Sequence, residues 1–141
     1  MGCTVNGYSS DITRTAYFGK PSEKFIEYYQ AVLDANVLAE QNISAKMTAR
    51  QADAIARDFL KAKGLDEYFT HSLGHGIGLD VHEYPTLSPK KDDELEDGMV
   101  FSVEPGVYLD GEFGIRIEDT VLLQGGRVER LFTDDKNLKI L

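Results

Sequence analysis

Three histidines, His71, His75 and His82, fall within twelve residues, with Gly74, Gly76 and Gly78 interleaved among them. Imidazoles at this density can ligate a transition metal, carry protons or steady a developing negative charge. His71 and His75 have the i, i+4 spacing that would share one face of a helix, but the glycine load opposes a helix there. Glycines permit instead a close approach of the backbone to another group. The competing reading is a set of ordinary loop or core histidines. Two carboxylates add to the pattern. Asp110-Gly111 is a turn signal, and a hairpin centred on Gly111 sets Glu104 opposite Glu118, each seven residues from the tip. Directly opposed Cβ atoms sit roughly 5 Å apart on one face. Two facing carboxylates repel, and a cation between them turns that cost into a site. Arg116, two residues before Glu118, shares its face. The alternatives are an exposed hairpin face with scattered charge, or a register displaced by a bulge near Pro105-Gly106. Asp11, in Ser10-Asp11-Ile12-Thr13-Arg14-Thr15, is either a turn residue or a ligand steadied by neighbouring hydroxyls and Arg14.

The elements that must hold these residues read as follows. Residues 3–8 and 11–18 are rich in Thr, Val, Tyr and Ile and predict two short strands or one bent hairpin. Ser22 suits a helix cap, and apolar residues at 25, 26, 29, 32, 33, 37 and 43 predict a helix from Glu23 to about Ile43. Phe25, Tyr28 and Tyr29 read as core. A second helix starts at Thr48, which forms a capping-box pattern with Gln51, and it stops at Gly64. Its apolar stripe is Ala52, Ile55, Ala56, Phe59 and Leu60, and Asp53 reads as a first-turn partner of the helix dipole. Residues 71–89 mix His, Gly and Pro and cannot be regular helix. The charge run at 92–97 reads as a solvated loop. Residues 99–104 alternate as a strand, residues 115–123 form another, and Gln124-Gly125-Gly126 turns into 127–132. Strands, two helices, then strands predict an α+β domain with helices on one face of an antiparallel sheet.

Composition narrows the function. The 141 residues fit one domain, and 15 basic against 24 acidic side chains give a net charge of −9. Such an acidic chain is a poor phosphate-backbone binder, so no nucleic-acid partner is expected. No apolar run approaches the roughly 20 residues that span a bilayer, so no membrane partner is expected. The single cysteine, Cys3, excludes an internal disulfide and a four-thiolate zinc site, and it suits a reducing compartment. The N-terminus lacks a basic region and an apolar stretch, so a cytoplasmic location is expected.

In order along the chain stand Tyr8-Ser9-Ser10-Asp11-Ile12-Thr13-Arg14-Thr15, Gly74-His75-Gly76-Ile77-Gly78, His82-Glu83-Tyr84-Pro85, Glu104-Pro105-Gly106 with Tyr108, and Gly114-Ile115-Arg116-Ile117-Glu118-Asp119. This series resembles the catalytic domain of the pita-bread metallopeptidases, and within them the Xaa-Pro aminopeptidases and Xaa-Pro dipeptidases. The resemblance implies two divalent metal ions, Mn or Co, with Zn or Fe as further candidates. It implies Asp11, His75, Glu104 and Glu118 as metal ligands, four of the five such enzymes use. It implies catalytic roles for Glu104 as a proton shuttle, His82 as an oxyanion stabiliser, His71 as a substrate contact and Arg116 as a supporting residue. The substrate implied is a peptide with proline at its second position. The family's remaining Asp ligand lies eleven residues before the position of Asp11, and Met1-Gly2 occupies the x-Gly positions that follow it. Residues 1–141 are therefore expected to be the C-terminal portion of a catalytic domain. Such a portion is expected to be weak or inactive alone and prone to homo-dimer formation or self-association through the surface its missing half leaves. The alternative is a non-catalytic peptide- or protein-binding module on the same fold.

Overall fold

One long hairpin carries the register of the molecule. In the computed structural model, which describes residues 1–141, β6 (Val100–Val103) pairs with β9 (Asp119–Gln124) in the body of the sheet. Beyond them, β7 (Gly106–Leu109) and β8 (Phe113–Arg116) pair as a two-stranded arm whose Val107, Leu109 and Ile115 are buried in the core. Val103 lies opposite Asp119, Gly106 opposite Arg116 and Leu109 opposite Phe113, so both ladders are centred on Gly111. The expected register is the observed one, and positions 104 and 118 face each other where the two ladders break. There the backbone bonds elsewhere. Glu104 N donates to Leu73 O at 2.8 Å, and Glu118 N donates to Thr13 O at 3.0 Å. The break thus lets two further segments attach at the level of the two acids.

The sheet has five antiparallel strands in the order β10 (Arg127–Arg130), β9, β6, β4 (Gly74–Gly76), β5 (Glu83–Leu87). Residues 71–89 contain no helix, as expected, but they hold two strands that their composition does not predict. Their signal is weak because β4 is three residues long and has glycine at both ends. A Cβ on Gly74 would lie 1.8 Å from Ser102 O, and one on Gly76 would lie 2.1 Å from Tyr84 O. The glycines therefore serve the approach of β4 to its neighbouring strands rather than an approach to an ion.

Both helices form as expected, α1 over Glu23–Asn42 and α2 over Ala49–Ala62. Ser22 Oγ accepts from Phe25 N at 3.1 Å. Thr48 and Gln51 close the capping box with bonds of 3.2 and 2.8 Å, each satisfying a backbone donor that the helix start leaves free. The buried stripe of α1 includes Phe25, Tyr29, Val32, Ala35 and Ala39, and that of α2 includes Ala52, Ala56 and Leu60. Alanines along the facing stripes let the helices lie close together. They join Phe101, Val103, Ile115, Val121 and Leu123 of the sheet in one core cluster. The α+β arrangement with helices on one sheet face is as anticipated.

Two further expectations need correction. The N-terminal strands are shorter than 3–8 and 11–18. β1 (Thr4–Val5) and β2 (Tyr8–Ser9) form a small hairpin, and β3 (Ala16–Tyr17) pairs in parallel with β11 (Lys139–Ile140) near the C-terminus. Between β2 and β3 the chain is a strap joined to the sheet by one isolated bridge, Thr13 with Glu118. Strand-like composition did not reveal that hydroxyls and an arginine, not a ladder, hold this strap. Asp53 is the second correction. It lies past the first turn of α2, is buried, and pairs with Arg57 at 2.6 Å while accepting from Leu73 N at 3.0 Å. Arg57 also donates to Phe69 O and His71 O and stacks on the Phe69 ring. Asp53 thus anchors the segment that leads into β4. Replacing it by Ala leaves Leu73 N without its acceptor and Arg57 without its carboxylate partner, which should cost about 3 kcal/mol in denaturant unfolding. A dipole partner alone would cost below about 1 kcal/mol, so a loss that small would remove the anchoring role.

Candidate metal centre

The centre lies at the break in the long hairpin, where β4 and the strap meet it. His75 sits on β4. Its backbone N donates to Ser102 Oγ at 3.0 Å, and its Nδ1 faces Gly76 O at 3.0 Å, which assigns the Nδ1 proton and leaves Nε2 turned into the site. Nε2 is 3.1 Å from Glu104 Oε1, and Ser102 Oγ donates to the same oxygen at 2.9 Å. Ser102 and Glu104 share a strand face by the two-residue alternation.

Glu118 enters from the other strand. It is 1% exposed. One carboxylate oxygen, Oε2, accepts from the Thr13 hydroxyl, while the other, Oε1, is buried with no hydrogen-bond partner. Arg116 donates to Thr13 Oγ1 from Nε and Nη2, and its Nη1 lies 3.8 Å from Glu104 Oε2. Asp11 is delivered by the strap, whose carbonyl at that residue accepts from Thr120 Oγ1 at 2.7 Å. One ligand atom each from Asp11, His75 and Glu118 lies within 4.8 Å of the others.

Of the four expected ligands, three converge directly, and Glu104 adjoins them through His75. The orphaned Glu118 Oε1 is the observation that tests whether a cation fits. An unpaired buried carboxylate oxygen is costly, and a cation among Asp11, His75 and Glu118 supplies the missing partner. An oxygen-rich set with one imidazole suits a divalent first-row ion.

Electrostatics separate the two facing glutamates. Burial acts to raise the Glu104 pKa, but hydrogen bonds from His75 and Ser102 and the charges of His75 and Arg116 hold it below the usual carboxylate value. Glu118 goes the other way. Burial lifts it, the Thr13 hydroxyl offsets part of that, and the charges of Glu104 and Asp11 lift it further. Burial acts to lower His75, but its bonds to Glu104 and Gly76 O and the charges of Glu104 and Glu118 outweigh this and raise it.

The other two histidines frame the centre. The His82 ring centroid lies 4.1 Å from that of His75, on an exposed stretch of chain before β5. The Tyr108 hydroxyl meets His71 Nε2 at 3.1 Å, and His71 Nδ1 faces Ser72 O at 2.8 Å. Tyr108 and Thr13 were not among the residues singled out for roles. Thr13 had a signal, since it lies two residues from Asp11 on an extended segment. Tyr108 stands in the series that carries the resemblance, but its role follows only from the arm's geometry.

Comparisons with known proteins show the family and the fold. The pattern describing metallopeptidase family M24 matches residues 1–124. An Xaa-Pro dipeptidase of Pyrococcus furiosus is 44% identical over 138 residues, which cover 98% of this chain and 40% of that protein. The solved Xaa-Pro dipeptidase from Bacillus anthracis has a TM-score of 0.94 at 47% identity, over 96% of this chain and 38% of that one. The X-Pro aminopeptidase from Thermotoga maritima has a TM-score of 0.96 at 44% identity, over 99% and 39% of the two chains. The chain spans about two-fifths of the length of these relatives. With a family match reaching to residue 124 of 141, the chain belongs to metallopeptidase family M24 and has the pita-bread fold of its structural neighbours.

Proposed function

We propose that this chain carries the ligand set and acid–base residues of a two-ion exopeptidase centre. Its substrate class is peptides with proline at the second position, as the names of its relatives suggest. The observation that carries the proposal is the convergence of Asp11, His75 and Glu118, in which Glu118 also has a buried oxygen with no hydrogen-bond partner. Glu104 completes the set from beside His75. Divalent ions held by these four residues, Mn or Co first among the candidates, supply Lewis acidity that acidifies water and polarises a peptide carbonyl.

The chain's own residues do the rest. Glu104, kept ionised by His75, Ser102 and Arg116, accepts a proton from the attacking water and passes it toward the leaving amine. His82, exposed beside His75, donates to the oxygen that gains charge. His71, steadied by Ser72 O and Tyr108, contacts the substrate from the other side. Arg116 holds Thr13 and Glu104 in place. Because the chain spans about two-fifths of its relatives, turnover is assigned to a protein that includes the counterpart of the remainder. The isolated chain is assigned weak ion binding and little hydrolysis. The lone Cys3 suits a reducing compartment, and we assign the protein to the cytoplasm.

Mn2+ titration of the chain by calorimetry tests the ligand assignment. His75→Ala should lower affinity at least tenfold, while His82→Ala should stay within about twofold. The reverse order would make His82 the ligand. In the longer protein, His82→Ala should reduce hydrolysis of a proline dipeptide by about 10²–10³, as for loss of one oxyanion donor.

A pH series gives a second check. Metal binding needs neutral imidazole, so Mn2+ affinity should fall as pH drops through the raised His75 value. Without metal the sign inverts. A histidine whose folded pKa is raised contributes stability below its unfolded value near 6.5, and that stability is lost as pH rises through the folded value. Thermal melts of metal-free chain should show this loss, and His75→Ala should remove it. Equal slopes in parent and variant would contradict the assignment.

A further inference from the structure

Asp11 and Glu118 reach the centre from different elements, and the strap that carries Asp11 has one isolated bridge to the sheet. A metal centre depends on their separation, so something must fix the strap against the strand. Arg14 stands where that is done. Its Nη1 donates to Thr13 O on the strap at 2.9 Å and to Glu118 O on the strand at 2.6 Å. The guanidinium thus ties together two backbones, one at Glu118 itself and one two residues from Asp11.

The other side of the guanidinium is held by acids. Nη2 donates to Asp119 Oδ1 at 2.7 Å, and Nε and Nη2 meet Asp134 at 2.8 and 2.9 Å. Asp119 is fully buried and directly follows Glu118. Its second oxygen lies 2.6 Å from Lys136 Nζ, which also bonds Glu40 and Asn36 of α1. The network therefore runs from α1 through Lys136, Asp119 and Arg14 to the backbone of Glu118.

Stability alone gives a weak account of this arrangement. Buried ion pairs recover little more than their desolvation cost, and apolar replacements are often as stable. A planar fork that reads two carbonyls and two carboxylates at once is a geometric device that a lysine cannot copy. We propose, resting on the metal-centre reading above, that Arg14 oriented by Asp119 is a positioning residue. It sets the distance between Asp11 and Glu118 by clamping the Thr13 and Glu118 carbonyls.

The test titrates the full chain with MnCl2 alone, by calorimetry, at a temperature where circular dichroism shows every variant folded. Arg14→Lys keeps the charge beside Asp119 but loses the fork, and it should weaken Mn2+ binding about 10- to 100-fold, the usual effect of disturbing residues that hold metal ligands. In a Glu118→Gln background, where the ligand being positioned is gone, the same substitution should change residual Mn2+ binding less than twofold. A merely structural role would lower the metal-free melting temperature and leave affinity unchanged, and parent-like Mn2+ affinity in folded Arg14→Lys overturns the proposal. If Arg14→Lys fails to fold, Asp134→Asn takes its place. It loosens only the outer side of the fork and should weaken binding two- to fivefold, with unchanged affinity overturning the proposal. Glu118→Gln separates the two readings. If it loses Mn2+ while Arg14→Lys keeps it, the metal centre stands and the positioning role falls. If Glu118→Gln binds as the parent does, the metal-centre reading falls and the positioning role with it.

Discussion

Two glutamates held face to face set the problem that the residues around them solve. Opposed carboxylates repel when both are ionised, and burial of both makes the repulsion stronger. The chain answers by making their surroundings unequal. Glu104 is given the donors His75 and Ser102 and a nearby Arg116, and it stays below the usual carboxylate value. Glu118 is given one hydroxyl and is lifted. One oxygen of Glu118 is left without a partner by that inequality, and Glu118 converges with Asp11 and His75. A cation relieves the repulsion, the orphaned oxygen and the crowding of acids together. The cost of holding these acids together is offset by the core, where α1 and α2 bury their stripes against the sheet.

What the sequence made legible was local. Ser22, Thr48 and Gln51 cap helices within three residues of themselves, and the hairpin register follows from a turn signal and simple symmetry about Gly111. These depend on near neighbours, so they can be read without the fold. The strands β4 and β5 were not legible, because a Gly-His-Gly strand has no apolar alternation and its identity comes from Phe101, Thr86 and Leu87 beside it. Asp53 was noticed, but its partners Arg57 and Leu73 N turn a surface role into a buried anchor only once residues 69–73 fold back on α2.

The centre shows the same division. His75, Asp11 and Glu118 were marked by type and order, and they converge. Glu104 was placed correctly in register, yet its contact with His75 depends on how β4 lies against β6. Asp119 and Lys136 are 17 residues apart in sequence and meet only because the C-terminal segment packs against α1. No spacing rule links them, and the tie from Arg14 to Glu118 O joins residues 104 apart.

The arm made by β7 and β8 extends past both acids and ends at the exposed tip Asp110-Gly111-Glu112. Its register is inherited from the sheet side, through the pairing of Val103 with Asp119. At the exposed tip, beyond the core residues Val107, Leu109 and Ile115, residues can therefore be added or removed without displacing either glutamate, whereas a single insertion into a paired strand turns every later side chain to the other face. The length of the tip is thereby uncoupled from the chemistry at the arm's base. The Tyr108 hydroxyl already reaches from this arm to His71, so the reach of the polypeptide over the site is an independent dimension of the design, one that can be lengthened or trimmed while the acids keep their places.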